Sequence, residues 1–339
     1  MTTGKWTLGR EIGRGAYGVV YLATGSNGEK AAVKVCTRDA ADPERLAREL
    51  RGAKLYRTIQ TGEGLVRLLE LGECEDGFYT VMELADDEFG VAGAAEYRPK
   101  TLARVIEGEK ALPLDAALKL AIALTKGLVT LQRHHLLHRD IKPGNVIYVR
   151  GQPVLSDPGL LVDEAEAASL VGTPGYVPPE RFTGSGADVY SLGLTLKAAS
   201  FGRAVDELQM GPTLEADTGH PQFATWWRIL NRATDPDASR RYRSAKALLN
   251  DLRRLQRRMV FTAKTLGLPR FVWLSILVTA VLLGVGVYKV KSSADESMAR
   301  WRAQDEYIEQ QKKEGARAVD EMVRRMKIDI EKSMKEIRR

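Results

Sequence analysis

The chain has 339 residues, of which 44% are hydrophobic, so a sizeable globular core is available. Its net charge of +7 belongs to the C-terminal part: residues 1–250 hold 31 Lys and Arg against 32 Asp and Glu, whereas residues 251–339 hold 20 against 12. This distribution excludes a uniformly basic nucleic-acid-binding domain. Two cysteines, Cys36 and Cys74, provide no disulfide framework and have no metal-ligand neighbours in the sequence.

The first chemical motif is IGRGAYGVVY, residues 12–21, in which Gly13, Gly15 and Gly18 form a GxGxxG pattern. A dinucleotide-binding turn has the same glycines but opens a helix. Here the β-branched and aromatic stretch VVYLATG continues as a strand, which favours a glycine-rich hairpin laid over phosphates. Lys34 follows in the strand pattern AAVKV, and at this distance a phosphate ligand is favoured over a solvent-facing lysine.

The remaining elements indicate a small β-rich part followed by a larger helical part. Residues 43–58 predict a helix, and residues 65–84 predict two strands with a turn at Asp76-Gly77. From Leu114 onward the apolar spacing becomes helical, and helical patterns return over residues 187–258.

The stretch LLHRDIKPGNVIYV carries three polar side chains within six residues: Asp140, Lys142 and Asn145. Asp140 can accept a proton from an attacking hydroxyl, Lys142 can neutralise charge on a transferred phosphoryl group, and the Asn145 amide oxygen can bind a metal ion. Asp157, 17 residues after Asp140, supplies a second acid suited to Mg²⁺. Phosphoryl transfer needs positioning and charge neutralisation more than covalent help, and these residues meet that need.

Residues 271–288, FVWLSILVTAVLLGVGVY, form an uncharged run of 18 residues. A helix of this length rises about 27 Å, close to the hydrocarbon thickness of a bilayer, so we predict a single-pass transmembrane helix; the alternative is a buried core helix. Six Lys and Arg residues precede the span and four follow it at a similar distance. This bias predicts a cytoplasmic N-terminal part, a basic juxtamembrane segment at 256–270, and a tail on the opposite side of the cell inner or plasma membrane.

The tail, residues 292–339, is charged throughout and contains no proline. Apolar residues at alternating three- and four-residue steps from Ala316 to Ile337, interrupted at Ser333, give about three weak heptads. A solvated single helix or a disordered tail is the alternative. Ala280 and Gly284 in the span form a small-xxx-small pair. One hypothesis is therefore that the span and the tail form a homodimer.

Together these motifs resemble the eukaryotic-like serine/threonine protein kinase family over about residues 7–255, and MELAD, VGTPGYVPPE and DPDASRRY are similar to its bacterial members. The resemblance implies an α+β, bilobal protein kinase fold with an N-lobe of about 7–83 and a C-lobe of about 86–255. The lobes precede the transmembrane helix and the charged helical tail. ATP and Mg²⁺ (or Mn²⁺) are the implied cofactors, and proteins that carry Ser or Thr are the implied substrates; no nucleic-acid partner is implied.

The resemblance also implies roles for individual residues. Asp140 is the catalytic base, and Lys142 lies beside the γ-phosphate. Lys34 binds the α- and β-phosphates and pairs with Glu49 on the helix LARELRGAKLY. The residues around the nucleotide, including the hinge VMELAD, are Ile12, Gly13, Gly15, Gly18, Val20, Ala32, Lys34, Met82, Glu83 and Ala85.

By the same resemblance, Asn145 and Asp157 hold magnesium. The family usually has a phenylalanine after this acid, whereas here Pro158 follows it. Proline fixes its own φ near about −65°, removes an N–H donor and disfavours the α region for the preceding residue. The hypothesis is that Pro158 stiffens the loop and limits flipping of Asp157, leaving an active but differently regulated site.

GTPGYVPPE resembles the substrate-docking end of an activation segment. Glu180 there is expected to pair with Arg241, and Asp188 is expected to anchor the catalytic loop. Arg139, before the base, implies regulation by activation-loop phosphorylation, because an arginine there can pair with a phosphate. The candidate acceptors are Ser169 and, second, Thr173, which also matches a threonine that contacts the catalytic loop.

Two other functions fit part of the sequence. A pseudokinase would be an ATP-binding or empty scaffold at the membrane, but scaffolds often lack one member of the catalytic set, which is complete here. A small-molecule phosphotransferase would have the same acid and asparagine but no docking motif. Residues 86–100 depart from the compact hinge of the family, and we interpret them as an insertion beside the nucleotide cleft.

Overall fold

The chain divides into two units, Met1–Thr262 and Ala263–Arg339. The computed structural model describes residues 2–15, 18–38, 43–59, 62–90, 97–109, 111–167, 172–180, 184–202 and 222–266, together with scattered positions between 291 and 326.

A six-stranded antiparallel sheet forms the N-terminal part of the first unit, with strand order β1-β2-β3-β4-β6-β5. Its strands are β1 (Thr2–Thr3), β2 (Trp6–Gly15), β3 (Gly18–Gly25), β4 (Lys30–Thr37), β5 (Leu68–Cys74) and β6 (Gly77–Met82). Gly15 of β2 pairs with Gly18 of β3 across the hairpin. The prediction of a glycine-rich hairpin is therefore confirmed, and the dinucleotide-type turn, which would open a helix, is wrong.

One helix, α1 (Pro43–Thr58), packs against the sheet and has the predicted bounds. Its Ala53 forms a small buried cluster with Cys36 of β4 and Phe78 of β6. Glu49 is also buried on this helix, so burial of the apolar face carries a carboxylate to the interior of the molecule.

The larger part of the unit is helical, as predicted. In the described residues of this part the helices are α2 (Leu102–Glu109), α3 (Leu114–Arg133), α4 (Ser185–Phe201), α5 (Phe223–Ala233) and α6 (Ala245–Leu266). Twelve of the 17 residues of α4 are buried, which is the pattern of a central core helix. Two short antiparallel ribbons complete it: β7 (Leu136–Leu137) with β10 (Val162–Asp163), and β8 (Val146–Val149) with β9 (Gln152–Leu155).

The two parts are joined where the chain leaves α1. Leu65 bridges Leu155 of β9, and the backbone N–H of Leu155 donates to the Gly64 carbonyl at 2.9 Å. Gly64 has φ +86°, and a Cβ on Gly127 of α3 would lie 2.6 Å from the Gly64 carbonyl oxygen. The hydrogen bond between Leu155 and Gly64 fixes β9, and hence the residues that follow it, against the segment that leaves α1.

The predicted transmembrane helix, 271–288, lies outside the described residues. Within the part of the chain that the structure describes, no helix is both long and apolar enough to cross a membrane. The described tail positions between 291 and 326 are helical and exposed, as expected for a charged helical tail.

Replacement of Gly127 by alanine is expected to lower the free energy of unfolding by about 1–3 kcal/mol, because the added methyl group overpacks the contact with Gly64. Gly108 of α2 is the matched control, since a Cβ there meets nothing within 4 Å. Gly108→Ala should be neutral or stabilise by about 0.5–1 kcal/mol. Chemical denaturation of the full chain measures both variants; equal effects would contradict the assigned contact.

Candidate active site

A cleft of about 570 Å³ is lined by residues of both the sheet and the helical part. Nine of the ten predicted nucleotide-binding residues line it: Ile12, Gly13, Gly15, Val20, Ala32, Lys34, Met82, Glu83 and Ala85. Asn145 and Asp157 line it too. Its volume is that of an ordinary small-molecule site.

Gly18 is the predicted nucleotide-binding residue that is not part of the cleft lining. A Cβ at Gly18 would lie 2.5 Å from the Val35 carbonyl oxygen. The glycine is therefore required by the close approach of β3 to β4, a reason that the motif does not reveal.

Lys34 joins two carboxylates in the interior of the cleft. Its ammonium lies 2.9 Å from Glu49 Oε2 and 2.6 Å from Asp157 Oδ1, and Lys34 and Glu49 are only 6% and 3% exposed. Burial alone would lower the pKa of Lys34, but the Asp157 and Glu49 carboxylates outweigh it and raise the pKa. The predicted Lys34–Glu49 contact is thus present, and Lys34 remains charged.

The two carboxylates respond differently to this ammonium. Burial raises the pKa of Glu49 above its ordinary value despite Lys34. Burial would also raise the pKa of Asp157, but the Lys34 ammonium and the Gly159 N–H outweigh it and lower the pKa. Lys34 therefore stabilises the anionic form of Asp157, which lines the cleft.

Asp157 has a left-handed backbone, with φ 57° and ψ 71°. Such a conformation costs an L-residue about 1–2 kcal/mol, and a following proline favours extended conformations instead. Pro158 is buried and begins a 3₁₀ turn that ends at Leu160. Tertiary contacts therefore hold Asp157 in a conformation that neither it nor Pro158 favours locally.

The turn at Pro158 touches α1 directly. A Cβ on Gly159 would lie 2.1 Å from Glu49 Oε2, and a Cβ on Gly52 of α1 would lie 2.7 Å from the Pro158 carbonyl oxygen. Glu49 Oε1 is buried without a hydrogen-bond partner in the described part of the chain, and Pro158 has no N–H to offer. Gly159 and Gly52 thus allow the close contact between the turn and α1, and Pro158 contributes no N–H donor to it.

Asp140 lies in a cluster of polar side chains and is 8% exposed. The Thr173 hydroxyl donates to Asp140 Oδ1 at 2.5 Å, and Lys142 Nζ lies 2.7 Å from Thr173 Oγ1 and 3.0 Å from Asp140 Oδ2. Asn145 Nδ2 donates to Asp140 Oδ2 at 2.7 Å and to the Asp140 carbonyl at 2.8 Å. Thr173, Lys142 and Asn145 therefore orient the Asp140 carboxylate next to the cleft.

Asn145 and Asp157 are the predicted magnesium ligands, and both line the cleft. The Asn145 amide nitrogen is used by Asp140, which leaves its amide oxygen for a cation, and Asp157 supplies a carboxylate in the same cleft. Such a pair fits Mg²⁺, which takes one or two protein oxygens and completes its shell with phosphates and water.

A phosphate on Thr173 would place negative charge beside Asp140, so the position of Thr173 disfavours it as a phosphate acceptor. Ser169 lies outside the described residues.

Asp188 of α4 anchors the backbone before the catalytic loop. Its carboxylate accepts hydrogen bonds from the His138 N–H at 2.8 Å and the Arg139 N–H at 2.9 Å, and Arg139 has a left-handed φ of 65°. Asp188 is 1% exposed, and burial raises its pKa although the two N–H groups oppose the shift. The expected anchoring contact is present.

Glu180 and Arg241 form the expected ion pair. Arg241 donates to both Glu180 oxygens at 2.6 Å, and it also donates to the carbonyls of Asp235 and Pro236. Arg241 is 2% exposed. A bidentate pair of this kind gives orientation as well as energy, and it ties the end of the activation segment to the helical part.

Several cleft residues were not predicted individually, although residues 86–100 were expected to lie beside the cleft. Tyr97, Pro99 and Thr101 line it, as do Arg104 and Glu107 of α2. A lone aromatic residue within the small and polar run VAGAAEYRPK is the one available signal for Tyr97. For the others, no local pattern indicates the position.

The chain belongs to the protein kinase family, because it matches the protein kinase domain over residues 6–267. It is 30% identical over 210 residues to the serine/threonine-protein kinase AfsK of Streptomyces griseus, covering 58% of this chain and 24% of AfsK. It is 31% identical over 212 residues to PknK of Mycobacterium tuberculosis, covering 59% and 18%. With pkn2 of Myxococcus xanthus it shares 29% identity over 303 residues, covering 79% and 34%.

These matches confirm the predicted kinase family, the bilobal fold and, for the matched domain, the serine/threonine kinase class. All three of these relatives are named as serine/threonine-protein kinases. The chain spans 18% to 34% of the length of these three relatives.

Replacement of Asp188 by asparagine should cost about 1–3 kcal/mol of unfolding free energy, because one of the two buried N–H groups would face an NH₂ donor. The exposed Asp115 in the first turn of α3 is the control, and Asp115→Asn should cost less than about 1 kcal/mol. Urea denaturation of the full chain compares the two. Equal midpoints for both variants would show that Asp188 does not anchor the loop.

Proposed function

We propose that this protein transfers the γ-phosphate of ATP to Ser and Thr hydroxyls of proteins, with Asp140 as the base. The observation that carries the proposal is the orientation of the buried Asp140 carboxylate by Thr173, Lys142 and Asn145. A general base must lie within hydrogen-bond reach of the proton that it accepts. Asp140 lies beside the cleft with its carboxylate held in one orientation, which suits that task.

The neighbouring residues have complementary roles. Lys142 neutralises negative charge that develops on the transferred phosphoryl group, and Lys34 holds the α- and β-phosphates. Asn145 and Asp157 would hold Mg²⁺, which neutralises phosphate charge when bound. The Glu49 carboxylate orients Lys34 from the other side and does not contact the substrate.

The hinge supports adenine as the base of the nucleotide. Among the described residues, neither the Glu83 carbonyl nor the Ala85 N–H has a hydrogen-bond partner, although both residues line the cleft. An acceptor followed by a donor matches the edge of adenine, whose 6-amino group donates and whose N1 accepts. Unpaired backbone groups at a cleft are otherwise costly.

The alternative function, an ATP-binding scaffold without transfer activity, is less well supported. A scaffold needs the cleft but has no use for an ordered Asp140–Thr173–Lys142 cluster. It also has no use for the bidentate Glu180–Arg241 pair at the end of the activation segment. Both features serve the catalytic loop and the segment that docks a substrate.

Full-length protein in detergent, with Mg²⁺, labelled ATP and a generic protein substrate, should label the substrate and itself. Asp140→Asn is expected to lower the transfer rate at least about 100-fold, because the general base is lost, while ATP binding is retained. Lys119→Met, on the exposed face of α3, is the control and should retain full activity. ATP binding with no transfer above the Asp140→Asn background, after phosphatase treatment and addition of partners, would favour the scaffold.

We also propose regulation by phosphorylation of the activation segment at Ser169. Burial lowers the pKa of the Arg139 guanidinium, and the nearby Arg48 of α1 lowers it further. A phosphate near both cations would stabilise their charged forms.

For localisation, we propose that residues 271–288 anchor the protein in the plasma or inner membrane, with the kinase domain cytoplasmic and the tail on the opposite side. The support is the uncharged run itself and the basic bias before it. Homodimerisation through the span and the tail is proposed on the small-residue pair and the weak heptads.

The full chain should remain in the pellet when membranes are washed with alkaline carbonate. A variant in which residues 271–288 are replaced by an equally long Gly/Ser segment should move to the supernatant, because a polar segment cannot replace a hydrophobic span. The Gly/Ser segment keeps the spacing between the flanking charges. Release of the unaltered chain, or retention of both, would contradict the proposed anchor.

A further inference from the structure

Two adjoining grooves lie on the helical part and share no lining residue with the nucleotide cleft. One is lined by α6 alone, and the other by α6, by the C-terminal half of α3 and by Glu63. Asn250 and Arg253 of α6 line both grooves, so the two form one continuous surface. This surface, the basic face, is lined by six cationic side chains: Lys126, Arg133, Lys246, Arg253, Arg254 and Arg257.

Helical spacing places several of these side chains in one line. Lys246, Asn250, Arg253 and Arg257 follow one another in α6 at steps of four, three and four residues, so they share one side of the helix. All four are exposed. The opposite side of α6 belongs to the main core cluster, as Leu255 does with 1% exposure. Core packing therefore fixes the basic side of α6 toward solvent.

Most of the positive charge of the basic face has no carboxylate partner. The Asp251 carboxylate lies 3.0 Å from Arg254 and 3.8 Å from Arg232, and the Glu63 carboxylate pairs with Lys126. In the described part of the chain, the four lining cations without an ion pair are Arg133, Lys246, Arg253 and Arg257. An anionic partner would therefore meet several cations that need not break an existing ion pair.

The position of the basic face in the chain favours a membrane as this partner. Phe271, the first residue of the uncharged run, follows Arg257 by 14 residues. A short covalent connection to an anchor holds a surface near the bilayer at a high effective concentration. Anionic headgroups attract clustered Lys and Arg residues next to a membrane span. A soluble acidic partner would meet the same charges without this advantage.

We propose that the basic face binds the anionic phospholipid headgroups of a bilayer, so that α3 and α6 contact the membrane as well as the span. The inference rests on the proposed membrane anchor at residues 271–288. It goes beyond that anchor because Arg133 and Lys246 lie outside the basic run before the span and join it only in the folded chain. If the basic run served orientation alone, these two residues would have no role at the membrane.

The full chain with residues 271–288 replaced by the Gly/Ser segment separates the basic face from the anchor. Its binding is measured by flotation with vesicles of phosphatidylcholine alone, or of phosphatidylcholine and phosphatidylglycerol in equal amounts. It should bind the mixed vesicles and not the neutral ones. High salt should release it, because salt screens exposed charges.

Arg253→Gln with Arg257→Gln, in the same chain, should weaken binding to the mixed vesicles about 30-fold, the factor that corresponds to about 2 kcal/mol for two cations. Arg253→Lys with Arg257→Lys keeps both charges and should keep the binding. The matched control is Lys30→Gln with Arg38→Gln, which removes two charges at exposed positions at the ends of β4. This control should stay within about twofold of the parent.

Arg133→Gln with Lys246→Gln tests the part of the basic face that only the fold assembles. Binding to the mixed vesicles should fall at least about fivefold, because both cations line the groove that Arg253 shares. A loss confined to the Arg253 and Arg257 pair would overturn the assembled face in favour of the linear basic run.

Other outcomes would overturn the proposal as a whole. Equal binding to neutral and mixed vesicles would do so, as would a loss in the Arg253 and Arg257 glutamine pair no larger than that of the control. Displacement of the chain from mixed vesicles by soluble poly-glutamate at equal charge would assign a soluble acidic partner instead of a membrane.

The basic face and the anchor can fail separately. Charge-dependent vesicle binding of the Gly/Ser chain, with release of the unaltered chain by carbonate, would support the basic face and contradict the anchor. Retention of the unaltered chain, with no vesicle binding by the Gly/Ser chain, would overturn the basic face alone. Phosphoryl transfer to a soluble substrate is expected in every one of these variants, since none of the changed residues lines the cleft.

Discussion

The buried Lys34 ammonium is the interaction on which the site depends. An unpaired ammonium with 6% exposure would be very costly, and its position is tolerable only because Glu49 and Asp157 lie within 2.9 Å and 2.6 Å. These three residues belong to β4, to α1 and to the loop after β9. The sheet, the helix and the loop must therefore be assembled together before all three charges are paired.

Two residues of the site have backbone conformations that their own sequence does not favour. Asp157 and Arg139 both have left-handed backbones, with φ 57° and 65°. Each is held by contacts from elsewhere: Asp157 by Lys34, and the Arg139 N–H by the Asp188 carboxylate. Strain of about 1–3 kcal/mol at a functional site persists only when the surroundings determine the conformation. The central position of α4 in the core is what makes Asp188 a fixed anchor.

The identity of Pro158 is compatible with this arrangement, because its fixed φ suits the 3₁₀ turn that it begins. The carbonyl oxygen of Pro158 lies close to Gly52 of α1. Proline has no N–H to donate, and Glu49 Oε1 on the neighbouring helix is buried without a partner in the described residues. The chain therefore keeps the acid in place through Lys34 and the helix contact. The hypothesis that the loop is stiffer remains a prediction.

The sequence by itself determined the elements with strong local signals. The bounds of α1, the glycine hairpin and the catalytic-loop residues could all be predicted, because periodicity, turn chemistry and motif spacing are local properties. Pairings implied by resemblance, Lys34 with Glu49 and Glu180 with Arg241, are present as well. Tertiary structure alone decided why residue 18 is glycine, why Asp157 is left-handed and where Tyr97 lies. These depend on the carbonyl of Val35, on the Lys34 ammonium and on the Ala85 carbonyl, which accepts from the Tyr97 hydroxyl. These groups approach only when distant segments pack, and they leave no pattern in the nearby sequence.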